Sequence, residues 1–573
     1  MPHASVQDLR SFIDILQKEN ELAVVTAEVD PHLEIAEIHR RTVAQNGPAL
    51  LFTNVKDSQF PVATNLFGSQ KRLELAFPDR PEKMVAECVK MLTHNFPPSL
   101  KIIWEKRSLL KRLCSLGIKR GSKAPVAECA SFDLDDLPIL KCWPDDGGSF
   151  ITLPLVLTHH PETNISNLGM YRIQRFAKNR TGLHFQIGKG GGFHYLAAQE
   201  QGKNLPVSIF LGGPPALVLS AISPLPENVP ELIFASLLMG NKLKMTHDNL
   251  IANAEFAIVG HAKPHEREME GPFGDHYGYY GMAHEFPVFH LEKIWHRKGA
   301  IYPATVVGKP PQEDLFIGNY LQKLFSPLIR MTMPQVEALW SYGEAGFHPL
   351  AAAKVKERYE KEALGAAFRI LGEGQLTLTK MLMVTDCPID VSNIKELLET
   401  VLARFRPETD FLIFGHTSND TLDYTGPQLN KGSKAILMGL GKEKRALPSE
   451  YKGSSTGIKA IPFCKGCLCI ESKREIEALV NEPSFKEWPF VVLVDDVKQA
   501  TSSNLEFLWT LFTRFEPAQD IYAKNRSIQR SQIAYELPLV IDARMKLHYP
   551  QEAIADPATT ERVEKRWDEF QID

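Results

Sequence analysis

Between Pro125 and about Pro310 the chain breaks its apolar residues into short runs. Leu153 to Thr158, Val207 to Leu211 and Phe256 to Val259 are separated by Gly, Pro and Asn, the punctuation of strands joined by turns. A β-rich barrel or sandwich is therefore expected in the middle of the molecule. The most apolar stretch, Leu205 to Gly240, is interrupted by Pro214, Pro215, Pro224, Pro226 and Pro230 and reads as buried strands and turns.

The flanks follow another rule. Leu9, Phe12, Ile13 and Leu16 recur at helical spacing, Leu22 to Val29 and Ala49 to Val55 read as strands, and Ile35 and Ile38 mark a helix between them. Beyond Pro310 a helical connector, including Leu315 to Leu324 and Gln335 to Trp340, leads back into alternation. There Met381 to Thr385, Phe411 to Gly415 and Phe490 to Val494 are expected as strands, with Val391 to Phe405 and Leu505 to Phe515 as helices. The fold class is thus α+β and multidomain: an N-terminal α/β domain over 1–124, a central β domain over 125–312, a helical connector over 313–350, and a C-terminal α/β domain over 351–573. A chain of 573 residues exceeds what one core supports, consistent with about two to four domains.

Charge and cysteine content exclude several classes. A net charge of -4 gives no global basic field for nucleic acid. The start, MPHASVQDLR, lacks the basic and apolar regions of a signal peptide, and no stretch approaches the roughly 18 apolar residues of a membrane span. Eight Cys are too sparse for a disulfide scaffold, so a cytoplasmic protein is expected. Lys106 to Lys123 is basic, with Leu109, Leu113 and Leu116 on one face; it reads as a solvated helix leading into a linker, the alternative being peripheral contact with the inner face of the cell membrane. Cys464, Cys467 and Cys469 form a CxxCxC cluster that could bind a metal or act in redox chemistry; a second ligand pair at metal-site spacing is missing, and Ile461-Pro462-Phe463 and Leu468-Cys469-Ile470 favour buried strand cysteines.

Two segments carry chemistry. In Gly182 to Gly192 the run Gly188-Lys189-Gly190-Gly191-Gly192 allows backbone N–H groups to approach an anion closely, with Lys189 adding charge. A phosphate-bearing cofactor and a tight hairpin both explain it. In Glu270-Gly271-Pro272-Phe273-Gly274-Asp275 two carboxylates stand five residues apart on a Pro/Gly turn beside aromatics. This suits a site that keeps one carboxyl protonated, although the spacing by itself favours a solvated surface turn.

Together these segments resemble the UbiD family of decarboxylases. The EGPFGD segment is similar to the family's acid motif, and Asn167 with Met170-Tyr171-Arg172 to its metal- and flavin-binding segment. Asn65-Leu66-Phe67-Gly68-Ser69, Pro303 to Pro311, Leu493 to Asp496 and Leu508-Trp509 resemble further landmarks. The resemblance implies a central split β-barrel of flavin-reductase type holding prenylated FMN, a divalent metal such as Mn2+, and a monovalent cation, K+ or Na+. It implies that Asn167 and Glu231 bind metal, and that Met170, Tyr171, Arg172, His184, Phe185, Gln186, Lys189 and Gly190 contact the cofactor. Gly188 departs from the family pattern, which often has a metal-binding His there; His184, His194 or water would have to replace it. Gly432 to Gly439 resembles a family segment but lacks its following Asp-Ala-Thr, so no role is carried over.

The implied mechanism addresses a physical difficulty. Loss of CO2 from an sp2 carbon leaves an electron pair in the plane of the ring, where the π system does not delocalise it; side chains alone would stabilise it poorly, and an electrophilic cofactor that bonds covalently to the substrate lets those electrons flow into the flavin. Arg172 would orient the substrate carboxylate and pair with Glu270, and Asp275 would donate the proton with a pKa well above that of a solvated Asp. The expected activity is non-oxidative decarboxylation of a hydroxyaromatic acid in ubiquinone or menaquinone biosynthesis. A flavin prenyltransferase would supply the cofactor, and a homo-oligomer would assemble through the C-terminal domain. The alternatives are a UbiD-type decarboxylase of another aryl or acrylic acid, and a non-catalytic flavin-binding assembly subunit.

Overall fold

A computed structural model describes residues 6–78, 80–94, 104, 107, 116–122, 124–185, 190–225, 229–453 and 456–572. The chain forms two units: Met1–Leu324 with Gln551–Asp573, and Phe325–Pro550.

The first unit begins with the helix Leu9–Lys18, which buries Leu9, Phe12, Ile13 and Leu16, and whose start is capped by Asp8 accepting from the Ser11 amide at 2.9 Å. A four-stranded sheet follows, built from Leu22–Val25, Ala49–Phe52, Val62–Thr64 and Tyr302–Pro303. The centre of the unit is a nine-stranded sheet. Its spine is the long strand Phe256–Glu270, paired antiparallel with His284–His296 on one side and Leu205–Leu211 on the other. The strands Phe150–Ile151 and Ser166–Gly169, which end the sheet's path, are not paired with each other among the described residues. Ile209, Phe256, Ile258 and Phe289 lie in a core shared with Val25, Ile35, Leu50 and Phe52 of the N-terminal elements.

Two expectations need correction here. Leu205 to Gly240 holds one strand and two helices, Pro215–Ile222 and Glu231–Met239. Pro214, Pro215 and Pro230 sit at helix starts, where a missing N–H costs nothing, Pro224 follows the end of the first helix, and Pro226 lies outside the described residues; the helices are apolar on most faces, so no amphipathic period marks them. The segment around Gln335 to Trp340 is the strand Val336–Ser341, paired with Leu350–Val355; an intervening turn and a register partner outweigh its helix-compatible residues.

The second unit contains two five-stranded sheets. One takes Met381–Thr385 at its centre, with the helix Ile394–Arg404 alongside; the other takes Cys467–Ser472 and Phe490–Leu493. Cys464, Cys467 and Cys469 are buried in the antiparallel pair Ile458–Cys464 and Cys467–Ser472. Among the described residues no three His, Cys, Asp or Glu side chains converge to hold a metal. No helix of the described residues is long and apolar enough to cross a membrane. Most of the basic stretch Lys106 to Lys123 lies outside the described residues; its end, Ile118–Gly121, is a strand paired with Leu243–Thr246.

Candidate active site

Glu270 is the last residue of the spine strand, opposite His284, and its side chain is fully buried. Gly182, on a neighbouring strand, makes room for it, since a Cβ at that position would lie 3.2 Å from Glu270 Cγ. Arg172 lies between the strands Ser166–Gly169 and Ile173–Ala177. Its Nε donates to Glu270 Oε1 at 2.9 Å, and its Nη1 donates to Asp275 Oδ2. The planar guanidinium thus bridges the two acids and stacks over the Phe273 ring at 4.7 Å.

The other oxygens of both acids are also engaged. His184 Nδ1 donates to Glu270 Oε2 at 2.6 Å, and its ring packs on Phe286 with centroids 4.2 Å apart. Asp275 Oδ1 accepts from the His276 backbone N–H at 2.8 Å and from His276 Nδ1 at 3.1 Å. The turn is closed by Asp275 N–H to Tyr279 O at 3.0 Å and Gly278 N–H to Asp275 O at 2.8 Å.

These contacts decide protonation. Burial works against a charge on Asp275, but the hydrogen bonds from His276 and the Arg172 charge outweigh it and hold the carboxyl well below the ordinary range. The expectation of a raised pKa is therefore wrong for this arrangement: Asp275 is a carboxylate. Glu270 is depressed in the same way, burial being overcome by His184 and Arg172. His184 is pushed down by burial and by Arg172, so a neutral imidazole donates to an ionised Glu270.

A second cluster surrounds Asn167. The strand Ser166–Gly169 carries it, and the helix Gly190–Glu200 begins against it. A Cβ at Gly190 would lie 2.0 Å from Asn167 Oδ1, and one at Gly191 2.8 Å from the Phe185 ring. The two glycines are what let the helix start approach. Tyr171 OH accepts from Gly191 N–H at 3.1 Å and from Asn167 Nδ2 at 3.4 Å, and its ring meets Phe185 edge-on at 5.1 Å. Met170 is half-buried beside them. Glu231, the first residue of its helix, accepts from Leu168 N–H at 3.1 Å, and burial raises its pKa.

The donor set fits a hard divalent ion: an amide oxygen and a half-buried carboxylate reach the same strand, leaving positions for phosphate and water oxygens. Of the two candidate histidines, His184 engages Glu270 through Nδ1, and His194 Nδ1 pairs with Thr158 Oγ1 at 2.9 Å. Gln186, Gly188 and Lys189 lie outside the described residues. Sequence reading grouped His184 with the cofactor and missed its bond to Glu270, because the two are 86 residues apart. It also passed over His276, whose position beside Asp275 was the available signal.

Known proteins resemble this chain throughout. Three family models match in succession: the 3-octaprenyl-4-hydroxybenzoate carboxy-lyase N-terminal domain over residues 13–92, its Rift-related domain over 118–310, and its C-terminal domain over 315–439. A Chlamydia pneumoniae protein described as a subunit of 4-hydroxybenzoate decarboxylase is 51% identical over 571 residues, covering 98% of this chain and 97% of its own. An Archaeoglobus fulgidus protein is 37% identical, covering 83% of this chain and 98% of its own. In fold, the chain resembles vanillic acid decarboxylase of Sedimentibacter hydroxybenzoicus in closed form, with TM-score 0.66 and 24% identity over 78% of this chain and 95% of that one. It also resembles the UbiD-class enzyme HmfF of Pelotomaculum thermopropionicum in complex with FMN, with TM-score 0.63 and 24% identity over 78% of this chain and 97% of that one. Identity of about half across nearly the whole length, with the three consecutive domain matches, makes the chain a member of the UbiD carboxy-lyase family and hence a decarboxylase.

Proposed function

We propose that the protein removes the carboxylate of a hydroxyaromatic acid as CO2 and returns a proton to the same carbon, using prenylated FMN and a divalent metal such as Mn2+. The observation that carries this reading is the bridge from Arg172 to both Glu270 and Asp275. Asn167 and Glu231 would hold the metal beside the cofactor phosphate. Met170, Tyr171, His184, Phe185 and Gly190, with Gln186 and Lys189, would wall the flavin within a split β-barrel. Bound there, prenylated FMN supplies the electrophilic centre that takes up the electron pair released with CO2.

The chain's own residues supply orientation and the proton. Arg172 receives the substrate carboxylate, while Glu270, fixed by His184, holds the guanidinium in plane. An arriving carboxylate competes with Asp275 for Arg172 and brings its own negative charge. Both effects raise the proton affinity of Asp275, which is how a resting carboxylate becomes an acid when substrate is present. Asp275 takes up a proton from solvent as substrate binds and gives it to the carbon that lost CO2, so one proton is consumed per CO2 released and no net oxidation occurs.

The Chlamydia pneumoniae relative, with its 4-hydroxybenzoate decarboxylase description, supports a hydroxybenzoate substrate. The family description, which names an octaprenylated hydroxybenzoate, supports a prenylated hydroxybenzoate precursor of ubiquinone, with a naphthoate precursor of menaquinone as the other candidate. A homo-oligomer assembled through the C-terminal domain, with a flavin prenyltransferase as cofactor supplier, completes the proposal. The test is CO2 release from 4-hydroxybenzoate, its prenylated form and naphthoate acids by protein co-expressed with a flavin prenyltransferase. Asp275→Asn is expected to keep the flavin absorption and lower kcat by about 10²–10⁴-fold; turnover at the wild-type rate removes Asp275 from the role of acid.

A further inference from the structure

Glu270 is held by the sheet, but Asp275 lies beyond the end of the strand, after a two-residue pairing of Phe273–Gly274 with Tyr280–Gly281. Something else must fix the distance between the two acids. The segment 142–147 and Gln174, both remote from the acid motif in sequence, do so through backbone contacts. Asp146 Oδ1 accepts from Gly274 N–H at 2.8 Å, while its Oδ2 accepts from Trp143 N–H at 2.9 Å and Cys142 N–H at 3.2 Å. Gln174 Oε1 accepts from Gly271 N–H at 2.7 Å, and its Nε2 donates to Gly147 O at 2.9 Å. Gly147 N–H donates to Pro272 O at 2.8 Å.

Packing closes the same contact. A Cβ at Gly147 would stand 2.1 Å from Gly271 O, and one at Gly274 2.2 Å from Trp143 Cδ1. The Trp143 indole is itself anchored, its Nε1 donating to Val307 O at 2.8 Å, with the Arg40 guanidinium 4.2 Å above the ring. Asp146 and Gln174 are both buried, so neither contact is a casual surface bond.

We propose that Asp146 and Gln174 are positioning residues that clamp the Glu270–Asp275 loop and set the reach of Asp275 to the substrate carbon. This rests on the reading of Asp275 as proton donor. Neither residue touches the reacting groups; each acts through the loop backbone. The clamp has an electrical signature, because burial raises the Asp146 pKa to about 6 against its three amide donors and Lys141. The other groups facing it are Cys142, and Tyr280, whose hydroxyl accepts from Asp145 N–H with Asp145 and Arg40 alongside. Above that pH the clamp bears a charge and its N–H bonds are strong; below it the carboxyl is neutral and they weaken.

The experiment uses the flavin-loaded enzyme with Asp146→Asn, Gln174→Leu and Gln174→Glu, alongside the amide signal of Gly274 in ¹⁵N-glycine-labelled protein. A displacement of about 1 Å predicts kcat down by about 100-fold in Asp146→Asn and Gln174→Leu, with KM and bound flavin changed by less than about twofold. Gln174→Glu, which still accepts from Gly271, recovers part of the loss. The Gly274 amide should titrate near pH 6 in the wild type and stay still in Asp146→Asn. The clamp is overturned if both kcat values stay within about threefold of wild type, or if the Gly274 amide signal at neutral pH is the same in Asp146→Asn as in the wild type. Full turnover by Asp275→Asn would instead sink the acid assignment, while the Gly274 signal continues to judge the clamp by itself.

Discussion

Replacing Arg172 by Met removes the charge between Glu270 and Asp275 while keeping most of the side chain's volume. Glu270 is then a fully buried carboxylate bonded to a neutral His184, and Asp275 is left with His276. Arg172, Glu270 and Asp275 have side-chain exposures of 9, 0 and 13%, so little solvent is available to screen the loss. Breaking a buried pair of this kind costs about 3–5 kcal/mol. At about 2 °C per kcal/mol for a large unit, the thermal midpoint should fall by about 6–10 °C at neutral pH. The sign of the pH dependence follows from the depressed folded-state pKa values of both acids. Their contribution is fully present above the unfolded values of about 4 and is lost as pH falls through the folded values. In Arg172→Met both acids bind protons more readily, so the deficit should be largest near pH 7 and shrink toward about pH 4. Circular dichroism melts of the two proteins across that range measure it. A fall below about 2 °C at neutral pH, or a deficit that widens on acidification, refutes the account of Arg172 as the compensating charge.

Glu231→Ala should lose bound flavin and metal yet cost only about 1 kcal/mol of stability, the worth of its bond from Leu168 N–H; absorption spectra and metal analysis of the purified variant check this. Gly190→Ala would place a Cβ 2.0 Å from Asn167 Oδ1, so Asn167 must move and flavin retention should fall. Unchanged retention would remove Asn167 from the metal site. Cys464, Cys467 and Cys469 should resist a thiol reagent until the protein unfolds, since burial and mutual contact raise Cys467 far above an ordinary thiol. Rapid labelling of native protein at these positions would contradict their place in the strand pair.

The residues themselves determined the elements whose signals are local. Leu9, Phe12, Ile13 and Leu16 declare a helix face, Met381 to Thr385 a buried strand, and EGPFGD an acid turn, because periodicity and turn chemistry act over a few positions. Leu205 to Gly240 defeated the same method because helices apolar all round carry no period. The run from Phe256 to Val259 proved to be the start of a strand reaching Glu270, its later residues half-exposed and polar.

Only the tertiary structure decided what the acids are. Arg172, His184 and Glu270 are joined across 98 and 86 residues, and Asp146 meets Gly274 across 128. No spacing rule reports such contacts, since they are set by strand register and packing. The charge on Asp275 is the clearest case. A carboxyl on a buried turn is ordinarily pushed toward protonation, and it is the guanidinium arriving from another strand, with the neighbouring imidazole, that reverses the sign.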